Sequence, residues 1–148
     1  MTTAFELVDQ RIRASFARQG MMRTIGATLG KISPGQVEVF LLPTPAITQQ
    51  HGFVHGGAVG SIADSAAGYA ALSMMPIDRS VLTTEYKINL LAPATGQRII
   101  ARGKVIKAGR TLTLSQAEVF AEHDGKERLI AFLTATLMAI EDRDGIVD

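Results

Sequence analysis

Between Gly52 and Ile77 the chain carries one formally charged side chain, Asp64, in a run dominated by Ala, Gly, Ser and aliphatic residues. From Gly56 to about Met75 this run is too long for a strand and compatible with a helix, and Pro76 closes it. A helix so poor in polar groups has to be buried on most of its faces, by its own sheet or by a partner. It does not read as a membrane span, because Asp64 and many small residues interrupt it and no anchoring residues flank it.

The remaining sequence supplies the cover. Residues 4–19 place Phe5, Val8, Ile12 and Phe16 three and four apart, an amphipathic helix that Gly20 ends. Two extended stretches, Thr24 to Ile32 and Gln36 to Leu42, are joined by the turn Ser33-Pro34-Gly35 and predict a hairpin. After the central helix come four strand candidates. They are Leu82 to Leu91 (with Leu82, Tyr86, Ile88 and Leu90 on one face), Arg98 to Lys107, Thr111 to Ala121 and Arg128 to Ile140. Short links between them predict a four-strand antiparallel meander. The expected architecture is α+β: an antiparallel sheet of five to six strands wrapped around a long central helix. The polar tail, about 141–148, is expected to fray.

At 148 residues this is one domain, 1–148, large enough for a core of its own. A net charge of +1, with basic and acidic residues interspersed, gives no footprint for a long nucleic acid but leaves room for a small anionic ligand. Without cysteine there is no disulfide, thiolate metal site or cysteine nucleophile. No metal ligand set is expected. The N-terminal residues lack a signal-peptide pattern, and the expected location is cytoplasmic.

Two features of the central helix carry chemistry. A carboxylate at Asp64 loses hydration if buried, which raises its pKa and makes it a candidate base or nucleophile; on a solvent-facing stripe it would serve solubility alone. At the helix start, His55-Gly56-Gly57 leaves backbone N–H groups unobstructed where the first amides lack intrahelical partners, a site for a developing oxyanion. The same glycines also suit a tight loop-to-helix turn. Gly56 and Asp64 are eight residues apart, about 12 Å along a helix. One helix cannot bring both within about 3 Å of a reacting carbonyl. If they cooperate, Asp64 comes from a second copy of the helix across a two-fold axis, and Ala58, Gly60, Ser61, Ala67 and Gly68 permit the close packing.

On these residues the sequence resembles the hotdog-fold thioesterases, in particular the PaaI-like phenylacetyl-CoA thioesterase branch, over roughly residues 45–140. The resemblance rests on His55-Gly56-Gly57, the acid eight positions after the first glycine, the Ala-rich helix, and Pro93 after the first strand of the meander. It implies that the Gly56 amide polarises a thioester carbonyl, with Gly57 beside it, and that Asp64 of the other subunit is nucleophile or general base. It gives His55 the task of holding the thioester end or orienting the loop. Gln49 stands where relatives often carry an Asn that positions the leaving group or water, and Thr83 where a Ser or Thr assists the water, with Thr84 adjacent. Arg110, then Lys107, at the basic turn, and Arg79 after the helix, are implied contacts for CoA phosphates. Phe53, Tyr69, Leu72 and Met75 are candidates for an apolar pocket that takes an aryl or medium-chain acyl group. The resemblance implies an acyl-CoA substrate, no cofactor beyond the CoA of that substrate, and a homodimer that pairs into a dimer of dimers.

Two other functions fit the same fold. A hydratase or dehydratase would pair His51 or His55 with an acid, and a non-catalytic acyl-CoA-binding module would need only the pocket.

Overall fold

The computed structural model describes residues 1–148. Helix α1 (Ala4–Arg18) and the short α2 (Gly20–Ile25) precede β1 (Thr28–Ser33) and β2 (Gln36–Leu41). A 3-10 turn (Pro45–Ile47) leads to α3 (Gly56–Leu72). Then follow β3 (Arg79–Leu90), β4 (Arg98–Ala108), β5 (Leu112–His123) and β6 (Lys126–Glu141). All six strands form one antiparallel sheet in the order β1-β2-β4-β5-β6-β3, and α3 packs against β2 through β6. This is the α+β arrangement of a sheet around a central helix that the sequence predicts.

Local chemistry explains most boundaries. Thr3 caps α1 by accepting the Glu6 N–H at 3.2 Å, and the Glu6 carboxylate accepts the Thr3 N–H in return, a capping box. Ile12, on the predicted stripe, is fully buried, and Phe5, Val8 and Phe16 are half-buried against the same core. Thr24, expected to open a strand, lies in α2 instead. Gly26, at φ 74°, ends that turn in the left-handed conformation and β1 begins two residues later. Helix α3 stops at Leu72, where the Ser73 hydroxyl donates to the carbonyl of Ala70 and accepts from the Gly35 amide.

Against the sheet α3 presents Ile62, Ala63, Ala66, Ala67 and Leu72, none of them accessible. The approach is closest at Gly103 of β4, where an added Cβ would lie 2.1 Å from the carbonyl oxygen of Ala66. Glycine here sets how near helix and strand backbones can come.

The meander needs correcting. Strands β4, β5 and β6 follow one another, but β3 pairs with β6, and β4 pairs with β2. The link after β3 is a crossover containing Pro93; its Leu91 and Ala92 amides donate to the Ile130 carbonyl and its Ala94 carbonyl accepts from Val54. The single apolar face expected for β3 is also broken. A register shift between Thr83 and Glu85 inserts one residue. Thr83 faces α3, so Leu82 points to the opposite face, whereas Tyr86 and Leu90 approach Gly60 and Gly56 on the helix.

The tail is docked rather than frayed. The Asp148 carboxylate accepts from the Val81 amide at 2.6 Å and the Ser15 hydroxyl at 2.9 Å, and Arg18 donates to the Val147 carbonyl. No helix is long and apolar enough to cross a membrane.

Candidate active site

His55 is the N-cap of α3, and its Nδ1 accepts the Gly57 N–H at 2.7 Å. The amides of Ala58 and Val59 donate to the His55 carbonyl at 2.9 and 3.1 Å. Of the amides that open the helix, only Gly56 N–H is left without a partner. It lies on a cleft of about 380 Å³ whose walls include Gln49, Phe53, Val59, Leu90 and Pro93. Gln49 is held there by a closed turn: its N–H donates to the Phe53 carbonyl at 2.8 Å, its carbonyl accepts from Gly52 at 3.0 Å, and Gly52 takes φ 84°. The Gln49 side chain also accepts the His51 amide. The predicted residues Gln49, Phe53 and Gly56 therefore meet in one cleft. Gly57 flanks it with its own N–H committed to His55.

Two turns along α3, Asp64 accepts a 2.8 Å hydrogen bond from the Thr83 hydroxyl. Burial raises the pKa of Asp64 above its ordinary value, and the bond from Thr83 opposes that rise. Asp64 and Thr83 border a second, smaller cavity of about 130 Å³, with Gln19, Ser65, Tyr69 and Asp148 also on its walls. Tyr69 is not beside Phe53 as expected. It is 3% exposed, its hydroxyl is bound by Gln19 Nε2 at 2.7 Å and Ser15 Oγ at 3.0 Å, and its ring packs on Phe16. Leu72 and Met75, the other pocket candidates, belong to the core.

Within one chain, then, the free amide and the carboxylate open into separate cavities. Only Gly56, Gly57, Ser61 and Asp64 of α3 escape full burial, all on one stripe. That stripe runs beside β3, one of the two edge strands of the sheet. Tyr86 and Leu90 of β3 are 49% and 58% exposed, leaving this border of the sheet without cover.

The remaining candidates lie further out. Lys107 is exposed near the end of β4, and Arg110 is exposed in the turn to β5. Arg79 pairs with Glu141 at 3.1 Å. Thr84 donates to the carbonyl of Thr136, which gives it a strand role. Neither His51 nor His55 forms an ion pair with a carboxylate; His123 with Asp124 is the one such contact.

Sequence reasoning missed Ser15, Gln19, Ser65 and Asp148. Nothing in their local sequence marks them, because their contacts span between 46 and 133 residues. It also missed Leu90 as a wall of the cleft, since the position of β3 in the sheet was not foreseen.

Comparison with known proteins adds the following. The family model for the thioesterase superfamily matches residues 51–127. A crystal structure of a thioesterase family protein from Silicibacter pomeroyi superposes with a TM-score of 0.89 at 50% identity, covering 91% of this chain and 99% of that one. The E. coli PaaI protein from the phenylacetic acid degradation operon shares the fold, with a TM-score of 0.85 at 18% identity over 99% of this chain and 100% of that one. A 1,4-dihydroxy-2-naphthoyl-CoA hydrolase of Listeria monocytogenes is 25% identical over 124 residues, 84% of this chain and 98% of that protein.

Proposed function

The chain belongs to the thioesterase superfamily, and on that premise we propose that it hydrolyses an aryl- or medium-chain acyl-CoA to the free acid and CoA. The fold is that of the hotdog thioesterases and the activity is thioester hydrolysis. The substrate and the residues that act on it are our reading of the site.

One observation carries that reading. On β3, Thr83 holds Asp64 by a hydrogen bond, and Leu90 approaches Gly56, whose added Cβ would lie 2.8 Å from Leu90 Cδ1. The Val81 amide is capped by Asp148, so the uncovered edge begins near Thr83 and ends at Leu90. When this edge pairs antiparallel with the same edge of a second copy, Thr83 falls opposite Leu90 of the partner subunit. The pairing carries Asp64 toward the Gly56 amide of the partner subunit. Two equivalent sites result, each completed by both chains, and the long bare edge is covered.

In this composite site the Gly56 N–H and the N-terminal dipole of α3 stabilise the oxyanion that forms on the thioester carbonyl. Asp64 attacks the carbonyl carbon directly or deprotonates a water that does so. Collapse of the intermediate breaks the C–S bond, and the CoA sulfur leaves and takes up a proton. Water then hydrolyses the anhydride in the direct route. Thr83 orients the carboxylate, His55 fixes the helix entrance, and Gln49 reaches the leaving group or the water from the cleft. Gly57 leaves space at the entrance, since a Cβ there would lie 2.9 Å from His55 Nδ1. Phe53 supplies apolar wall to the cleft, and Tyr69 borders the cavity next to Asp64. Lys107 and Arg110 are suited to the CoA phosphates as exposed cations; Arg79, already paired with Glu141, ranks behind them. We place the enzyme in the cytoplasm as a homodimer, with dimers pairing into a tetramer.

The hydratase alternative draws no support from the histidines, because neither His51 nor His55 pairs with a carboxylate and His55 commits Nδ1 to Gly57. Thiol release from a panel of aryl- and fatty-acyl-CoAs tests the proposal. Asp64→Asn is expected to lower turnover by about two orders of magnitude or more while folding normally. Wild-type turnover in that variant would refute the assignment.

A further inference from the structure

The cleft at Gly56 is large and mostly apolar. The cavity beside Asp64 measures about 130 Å³, is walled mostly by polar residues and opens to solvent. A polar space of that size suits water, roughly four molecules at liquid density. On its wall Thr83 occupies Asp64 Oδ1, and Oδ2 accepts nothing from the chain. Gln19 faces the same cavity from the corner between α1 and α2, where its N–H donates to the Phe16 carbonyl and its carbonyl accepts from Arg23. A one-way relay orients its side chain. Ser15 gives its single hydroxyl proton to Asp148 at 2.9 Å. The Tyr69 hydroxyl therefore donates to Ser15 at 3.0 Å, and its oxygen accepts Gln19 Nε2 at 2.7 Å. That fixes the ends of the amide. The nitrogen is turned to Tyr69, and Oε1 is turned to Ser65, the helix neighbour of Asp64, from which it takes only a long 3.5 Å bond. The cavity wall thus offers two acceptors with capacity to spare, one a carboxylate oxygen and one a neutral amide oxygen.

Resting on the thioesterase reading above, we propose that Gln19 is a further catalytic residue, whose Oε1 holds the attacking water together with Asp64 Oδ2. A water that attacks a carbonyl carbon is best oriented when both its protons are engaged, so that a lone pair points forward. Asp64 takes one O–H and Gln19 the other. As the new C–O bond forms, the first proton passes to Asp64. Collapse of the intermediate breaks the C–S bond, and Asp64 returns that proton to the CoA sulfur. The acid keeps the second proton and then releases it to solvent. Gln19 accepts a hydrogen bond throughout and never a proton. Tyr69 and Ser15 are positioning residues that keep the amide from turning over. The assignment selects the water route over direct attack by Asp64, and it leaves Gln49, on the cleft, with the leaving group.

The test is the choice between water and methanol as attacking group, read as the ratio of methyl ester to free acid formed from one acyl-CoA in buffer containing methanol. Methanol has a single O–H, and its methyl group stands where water offers its second proton to Gln19. Gln19→Leu removes the acceptor and presents an apolar surface to that methyl. This variant is expected to lower kcat for hydrolysis by about tenfold or more, with KM within about twofold of wild type. Its ratio of ester to acid is expected to rise by about tenfold. Tyr69→Phe, which removes only the hydroxyl that holds Nε2, is expected to move kcat and the ratio the same way by a smaller factor. Thermal unfolding shows that each variant is folded, and the product ratio does not depend on the fraction that is. Wild-type kcat and product ratio in Gln19→Leu overturn the proposal and leave the hydrolase standing. A lowered rate with an unchanged product ratio does the same, because the side chain then supports only the fold. No thiol release by the wild type from any acyl-CoA removes the hydrolase reading and this proposal with it.

Discussion

The Thr83 hydroxyl donates a 2.8 Å hydrogen bond to Asp64 Oδ1, joining the last strand of the sheet to the one charged group of the central helix. The two residues are nineteen positions apart, and their contact marks one end of the proposed shared site. It also stabilises the ionised form of a carboxylate that burial pushes the other way.

A pH profile separates these two influences. Asp64 acts as a carboxylate, so kcat/KM is expected to fall on the acid side with an apparent pKa above the ordinary aspartate value of 3.8. Thr83→Val removes the hydrogen bond that lowers the pKa, so the acid limb is expected to move to higher pH. An unmoved limb would mean that the contact has no electrostatic role.

Stability is linked to the same group with the opposite sign from a paired surface aspartate. Folding raises the pKa of Asp64, so the folded chain disfavours its ionised form. Stability is fully present below 3.8 and declines as pH rises through the folded value. Asp64→Asn is expected to unfold at a higher temperature than the wild type at neutral pH, and the gap should close in acid. Thermal melts at several pH values check this.

His55 is read as a cap rather than an acid or base. His55→Ala is expected to cost about 1 kcal/mol of stability through loss of the bond to Gly57, the scale of an N-cap, and to lower turnover with it. His55→Asn retains an acceptor for that amide and is expected to restore much of both. Full loss of turnover in a stably capped His55→Asn protein would instead assign chemistry to the imidazole.

Gly103 tests the fold itself. Gly103→Ala places a methyl against the Ala66 carbonyl, and overpacking of this kind is expected to cost about 1–3 kcal/mol, read as a lowered denaturation midpoint. A neutral result would show that helix and strand can part freely there.

The central helix was legible because its chemistry is local. One acid in an apolar run, and two glycines at its start, announce themselves within a few residues, and the sheet follows from alternation and turns. The neighbour of β3 was not legible. Strand order depends on how the crossover at Pro93 runs and on the docking of β6, and neither leaves a mark on β3 itself. The shift after Thr83 was equally hidden, although it decides that Thr83 and Tyr86 both face α3. The wall around Tyr69 was missed for a related reason: Ser15, Gln19 and Asp148 come from opposite ends of the chain and meet only in the folded protein. Spacing along α3 did foreshadow that Gly56 and Asp64 of one chain lie apart, and the two separate cavities agree with it.

The shared site is tested most directly by mixing two inactive proteins. Asp64→Asn keeps the Gly56 entrance, and Gly56→Leu keeps Asp64 while its side chain fills the cleft; circular dichroism establishes that each is folded. After the two are unfolded and refolded together, or co-expressed, each mixed dimer contains one intact pairing of Asp64 with Gly56. Thiol release from an acyl-CoA is then expected to recover to about half the wild-type rate per mixed dimer. Mixed dimers that form, as shown by affinity tags on the two chains, yet release no thiol would contradict the account.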